Sequence, residues 1–203
     1  MAILVIDTET TGLCKTKRNR KYYHPRKTEY YDKSRIIEIA YTIYAKEKQT
    51  NEWKAIKDVS NLVQPDNFLI ENSHIHGINH KDAVEEGKPI NELFDILMND
   101  LHNVNKIVAY NASFDINILL SEMYRYNNEK MISEFNNKKF LCALKLSRYK
   151  IKKRKNYKLI NIYNFLHNTN EIQTHRALDD VNLCAKVFFK LSSPDYSESN
   201  LNT

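Results

Sequence analysis

Glycine and proline are scarce in this chain, at 3 and 4 of 203 residues. That leaves little material for long flexible linkers and favours one large domain over two small ones. Cysteine is sparse too. Cys14, Cys142 and Cys184 are odd in number and share no metal-ligand spacing, so reduced thiols in an intracellular protein are expected. No apolar run reaches the roughly 18 residues that a membrane span needs. The opening MAILVID turns acidic too soon to be the apolar core of a signal peptide. A cytoplasmic protein (nuclear if eukaryotic) with no membrane partner is the expectation. Repeats and low-complexity blocks are absent.

What is present supports a real core, since 42% of the residues are apolar. The net charge of +6 suits a polyanionic partner without requiring one. Residues 2–7 read as a short buried strand. In 35–45, Ile37, Ile39, Tyr41 and Ile43 alternate against a mixed face, a second strand. A third lies within 52–65, with an irregularity near Lys57–Asp58, and ends at Pro65. Leu93, Ile96, Leu97 and Leu101 fall at helical spacing in 88–102. A strand over 106–111 leads directly into a helix over 113–126, with Ser113 as its expected cap. A basic stretch follows, then a helix near 159–168 and a last one from about 176 to 191. The residues from 192 to 203 are expected to be a disordered tail. This order predicts an α/β domain over 1–191, a mixed sheet flanked by helices, which does not by itself name a function.

The stretch LVIDTETTGL (4–13) carries Asp7 and Glu9 one residue apart. On a strand, residues two apart point to one side, so both carboxylates can aim at one spot before Gly12 turns the chain away. A strand running into a polar turn would read the same way. Asp115 falls in the first turn of a helix, beside the end of another buried strand, where the helix dipole alone would favour an acid. The last helix separates these readings. Ala177, Val181, Cys184, Phe188 and Leu191 form its apolar stripe, and Asp180 lies on or beside that stripe while Asp179 points elsewhere. An unpaired buried carboxylate costs several kcal/mol, and no Lys or Arg on that helix is placed to serve. A divalent cation shared with Asp7, Glu9 and Asp115 meets the need. Four carboxylates suit two Mg²⁺ or Mn²⁺ ions about 4 Å apart, the arrangement used for in-line displacement at phosphorus. One ion would activate water and the other would stabilise the leaving 3′ oxygen. His175 precedes Asp180 by five residues, roughly 500° of helical rotation, so it is expected on the entering loop. From there it can swing over the site as a general base.

Three segments, DTETTG (7–12), YNASFD (110–115) and HRALDD (175–180), together resemble the motifs of the DEDDh, or DnaQ-like, 3′–5′ exonucleases. The resemblance covers roughly residues 3–191. It implies a ribonuclease H-like fold with a mixed five-stranded sheet, metal ligation by Asp7, Glu9, Asp115 and Asp180 with Asp7 bridging, and His175 as base. It also implies a pocket for the terminal nucleotide. Thr10, Thr11 and Leu13 would line it, Asn111 and Phe114 would shape its floor, and HIHGI (74–78) would bring Ile75 and His76 near the base or sugar.

Two departures accompany the resemblance. LCALKLS (141–147) stands where relatives often have Asp-Thr-Leu, a change expected to affect packing. A long insertion over 14–35 separates the first two strands. It interleaves Lys15, Lys17, Arg18, Arg20, Lys21, Arg26 and Lys27 with Tyr22, Tyr23, Tyr30 and Tyr31, so cations for phosphates alternate with faces for unpaired bases. A solvated loop whose tyrosines pack on the domain is the other reading. A second basic run over 145–158, including Lys152, Lys153 and Arg154, reads either as flanking the same groove or as a solvated connector. The expectation is therefore a metal-dependent exonuclease releasing nucleoside 5′-monophosphates from single-stranded 3′ ends. DNA is favoured, and RNA trimming in the manner of an oligoribonuclease is the alternative. A non-catalytic nucleic-acid-binding module is the competing class. A polymerase or another replication or repair protein is the candidate protein partner.

Overall fold

The alternation of Leu4 and Ile6 against Ile3 and Val5 divides the core in two. A computed structural model describes residues 2–152 and 154–196, and its central strand, β1 (Ala2–Thr10), sits between two helical layers. Its neighbours are β2 (Ile36–Lys46), β3 (Trp53–Leu62), β4 (Val104–Ala109) and β5 (Lys139–Cys142), in the order β3-β2-β1-β4-β5. The first three pair antiparallel, whereas β4 and β5 run parallel to β1. The sheet is mixed and five-stranded, as expected.

Ala2, Leu4 and Ile6 meet the layer built by α3 (Ile90–Leu101), α4 (Ala112–Arg125) and α5 (Glu129–Asn136). Ile3 and Val5 meet the layer of α6 (Ala143–Lys150), α7 (Leu159–His167) and α8 (Ala177–Ser192). Both faces of the sheet are thus covered. This is why β2 is buried at every residue from Ile36 to Tyr44, where one mixed face was expected. Two short helices, α1 (Ser73–His76) and α2 (His80–Glu86), close the end of the sheet near Ile37 and Ile70.

Several boundaries differ from the sequence expectation. β1 runs on to Thr10, with a bulge between Glu9 and Thr10. The irregularity in β3 falls at Ile56, between the partners of Ile43 and Tyr44. Ser113 does not cap α4: the helix begins one residue earlier, with Asn111 at its N-cap, and the Ser113 carbonyl accepts from the Asn117 side chain. α1, α2 and α5 were not anticipated. The basic run over 145–158 is helical as far as Lys150, with Ser147 buried in it. Of the expected tail, Ser192 ends α8 and the Tyr196 ring packs against the α8 layer; residues 197–203, like Lys153, lie outside the described residues. No helix of the described residues is long and apolar enough to cross a membrane.

Candidate active site

β1 pairs with β4 only from Ala2 to Val5. Its last five residues, Ile6–Thr10, therefore run past the parallel partner and leave a notch at the carboxyl edge of the sheet, the usual place for ligands in open α/β sheets. Period two sets what faces this notch. Asp7 and Glu9 continue the Ile3–Val5 row toward α8. Thr8 continues the Leu4–Ile6 row toward α4, where its hydroxyl donates to Asp115 Oδ1 at 3.1 Å. α8 crosses β1 and β2 on the other face and delivers Asp180 from its first turn. One carboxylate oxygen from each of Asp7, Glu9 and Asp180 lies within 4.8 Å of the other two. Asp115 stands beside Asp7, outside that triplet but in strong electrostatic interaction with it.

Crowding and burial raise the proton affinity of all four acids. Asp7 is pushed well above the usual carboxylate range, first by burial and then by the charges of Asp115, Asp180, Glu9 and Glu38. Burial and the same neighbours push Glu9 up to about 8. Asp115 rises to about 7, burial outweighing the hydrogen bonds from Thr8 that favour its charged form. Burial also raises Asp180, against the opposing effects of Gln173 and His175. Among the described residues no lysine or arginine forms an ion pair with any of the four. Asp180 Oδ2 accepts from Gln173 Nε2 at 2.6 Å, while Oδ1 is buried without a hydrogen-bond partner. An orphaned oxygen beside two further carboxylates is the donor set of a hard divalent cation.

The other expected residues are less uniformly gathered. His175 is exposed on the loop entering α8, with a left-handed backbone (φ 55°) and a charge that reaches Asp180. Thr11 and Leu13 line a cleft of about 610 Å³ that begins where β1 ends, with Asn67, Phe68 and Leu69 across it. Leu13 is 82% exposed there. Thr10 does not line that cleft, and its hydroxyl donates to the carbonyl of Gly12, which does, at 2.8 Å. Gly12 itself is required by close approach, since a Cβ would sit 3.0 Å from the Lys33 carbonyl oxygen. Asn111 and Phe114 lie at the start of α4 beside Asp115. Ile75 is 55% exposed, but His76 is only 3% exposed, its Nδ1 accepting the Ile78 amide at 3.1 Å. His76 is the last residue of α1, and its Nε2 is buried without a hydrogen-bond partner.

The insertion is ordered against the domain. Arg35 Nε donates to Glu122 at 2.6 Å, and Arg125 holds Asp32 at 2.8 Å. Tyr31 is buried, and Tyr23 stacks on Tyr30 at 3.6 Å, so the rings are largely occupied by one another. Tyr22 reaches toward the site, its ring centroid 6.5 Å from that of Phe114. Lys17, Arg18, Arg20 and Lys21 project from an exposed tight turn closed by the Lys17 amide on the Lys21 carbonyl. Arg154 is stacked over Phe165, 3.7 Å from the ring centroid. Lys152 lies in the loop between α6 and α7.

Sequence reasoning missed Glu38 and Gln173. Glu38, near the start of β2, is 1% exposed and lies opposite Glu9 in register. The signal was available: a lone carboxylate inside IIEIA, a run otherwise fit only for burial, needs a partner.

Comparison with known proteins identifies the family and the fold. The RNase_T family model, described as an exonuclease, matches residues 4–188. Over 205 residues the chain is 31% identical to the chloroplastic/mitochondrial exonuclease DPD1 of Arabidopsis thaliana, covering 95% of this chain and 56% of that one. It thus spans little more than half of that curated relative. Escherichia coli Exonuclease I, solved with a dA16 oligonucleotide, superposes with a TM-score of 0.62 at 17% identity, over 98% of this chain and 42% of its own. A 3′-exonuclease solved in recognition of the histone mRNA stem-loop gives 0.58 at 14% identity, over 94% and 63%. At such identities the likeness is one of fold.

Proposed function

The chain belongs to the exonuclease family described by the RNase_T model, and from that premise we propose that it is a DEDDh-type, metal-dependent 3′–5′ exonuclease acting on single-stranded DNA ends. The observation that carries the reading is the convergence of Asp7, Glu9 and Asp180 within 4.8 Å, with Asp115 beside them. These four residues would hold two divalent cations, Mg²⁺ or Mn²⁺. When bound, such ions supply Lewis-acid activation of water and charge stabilisation at the scissile phosphate. His175 takes the proton from the attacking water. The new P–O bond forms as the P–O3′ bond breaks, releasing a nucleoside 5′-monophosphate, and the departing 3′ oxygen takes a proton from solvent to leave a fresh 3′ hydroxyl. The terminal nucleotide lies against Leu13, Thr11, Asn111 and Phe114. Three free cysteines suit a reducing intracellular compartment.

Purified protein with Mg²⁺ or Mn²⁺, given matched 5′-labelled single-stranded DNA and RNA, tests the reaction and the substrate together. A ladder of DNA shortened from the 3′ side is expected. A ladder on RNA alone would replace DNA by the RNA-trimming reading, and no shortening of either polymer would overturn the enzyme.

Removal of cations has a stability signature. Glu9 and Asp115 titrate in the folded state near 8 and 7, above their ordinary unfolded values near 4. Groups raised in this way contribute stability that is present at low pH and lost as pH rises through the folded values. In chelator, the thermal midpoint should therefore fall between about pH 5 and pH 8. Cation at about 100 times its dissociation constant adds about 2.7 kcal/mol, or about 5–10 °C for a chain of this size. The gain should be larger at pH 8 than at pH 5.5. A midpoint indifferent to Mg²⁺ and Mn²⁺ at both pH values would count against the site.

The turn at Lys17–Lys21 presents an exposed cluster of cations on the insertion. Replacing Lys17, Arg18, Arg20 and Lys21 with glutamine should raise KM and flatten its salt dependence, by about 0.7 in log–log slope for each single-strand phosphate that is no longer neutralised. Unchanged kinetics between low and high salt would remove this role.

A further inference from the structure

Glu38 is a fifth carboxylate at a place already crowded with four. It is 1% exposed, and its charge adds to the repulsion felt by Asp7, Glu9 and Asp180. It is not part of the triplet that could grip an ion, and a neutral side chain would relieve the crowding. Its two oxygens are nonetheless fully engaged. Oε1 accepts from Ser60 Oγ at 3.0 Å and Arg176 Nη2 at 2.9 Å; Oε2 accepts from Arg176 Nε at 3.3 Å and the Ala177 amide at 3.1 Å. The fork-on-carboxylate arrangement fixes the orientation of the guanidinium as well as its position.

The held residue is the one next to His175. A left-handed backbone at a residue other than glycine persists only where its surroundings over-determine it, and His175 has φ 55°. On its two sides Thr174 Oγ1 donates to Asp179 at 2.6 Å, and Arg176 is clamped on Glu38. Glu38 also receives the first amide of α8, so the loop is fastened to β2 at the point where it becomes helix.

We propose that Glu38 is a positioning residue for the reaction: through Arg176 it holds the His175 loop so that the imidazole stands over the acidic cluster. The inference rests on the exonuclease reading, and its experiment separates the two. Single-turnover and steady-state kinetics on 5′-labelled single-stranded substrate would be measured for the wild type, Glu38→Gln, His175→Ala, their double variant, and Arg176→Lys, each after a thermal scan. Arg176→Lys keeps the charge but loses the fork, and its side chain is half exposed. It therefore decides the matter if Glu38→Gln does not fold, paired with His175→Ala in the same way.

Glu38→Gln and Arg176→Lys should each lower kcat by roughly 10- to 100-fold, the scale of misplacing a catalytic group by about an ångström, with KM changed less than about threefold. On the His175→Ala background the same substitutions should have almost no further effect, because the group they position is gone. A kcat within about threefold of wild type for both, or a full loss retained on the His175→Ala background, overturns the proposal. A wild-type protein that shortens neither DNA nor RNA with either ion overturns the exonuclease reading itself, and this inference with it.

Discussion

Asp7→Ala should reduce nucleotide release to background, a loss on the order of 10³-fold or more, and Asp180→Ala should do the same. Asp7 is the carboxylate on which the others converge. It is the one whose proton affinity is raised by Asp115, Asp180, Glu9 and Glu38 together, because it projects from the strand that α4 and α8 approach from opposite faces. The informative variant is Asp7→Asn, which keeps shape and volume and removes only charge. It relieves repulsion in a crowded, partly buried cluster, so the metal-free protein should unfold at a higher temperature than the wild type. The rise on adding Mn²⁺ should shrink or vanish, and activity should go with it. Gain of stability with loss of function is the pattern of a site strained by its task. A variant with lowered metal-free stability and an intact metal-induced shift would mean that Asp7 is a structural acid, and the two-ion arrangement would then lack its centre.

The aim of Asp7 and Glu9 was legible because a strand has a strict period of two, and that survived even though β1 runs three residues past its expected end. Asp180 was legible because Ala177, Val181, Cys184, Phe188 and Leu191 define a face, and all five are buried. The mixed character of the sheet followed from the order of elements, whereas its fifth strand was implied only by the family resemblance. What escaped lies below the length at which periodicity speaks. α1 has four residues, α2 seven and α5 eight, and helices this short are held by packing, not by propensity. Met131, Ile132 and Phe135 of α5 are buried, but they sit among Asn, Lys and Glu that read as a solvated stretch. β5 has four residues and shows no alternation worth reading.

Other misses concern what a side chain touches, which local sequence does not carry. His76 sits in a segment that resembles a ligand loop, and its burial at the end of α1 is not visible in that segment's sequence. The tyrosines of 14–35 could serve bases or one another, and Tyr23 on Tyr30 is the pairing the fold makes. Glu38 needed the third dimension most: its partners Ser60, Arg176 and Ala177 are 22, 138 and 139 residues away.

His175→Ala should lower kcat by ~10²–10⁴, the usual span for loss of a general base, and leave the rest of the site standing. The imidazole is exposed, so its removal opens no cavity, and the thermal midpoint should stay near that of the wild type. None of the carboxylates that would hold cations is altered, so the Mn²⁺-induced rise in midpoint should persist, in contrast to Asp7→Asn. KM should change little, because the residues placed against the terminal nucleotide come from the turn after β1 and the start of α4 and not from this loop. The two variants thus dissect one reaction: the first loses cation binding and turnover together, the second loses turnover alone. Their difference follows from position, since Asp7 is built into the central strand while His175 stands on a loop that Glu38 and Arg176 fasten to the neighbouring one. A His175→Ala protein that turns over within a few-fold of wild type would assign the proton to another acceptor, and the loop's left-handed residue would need a different explanation.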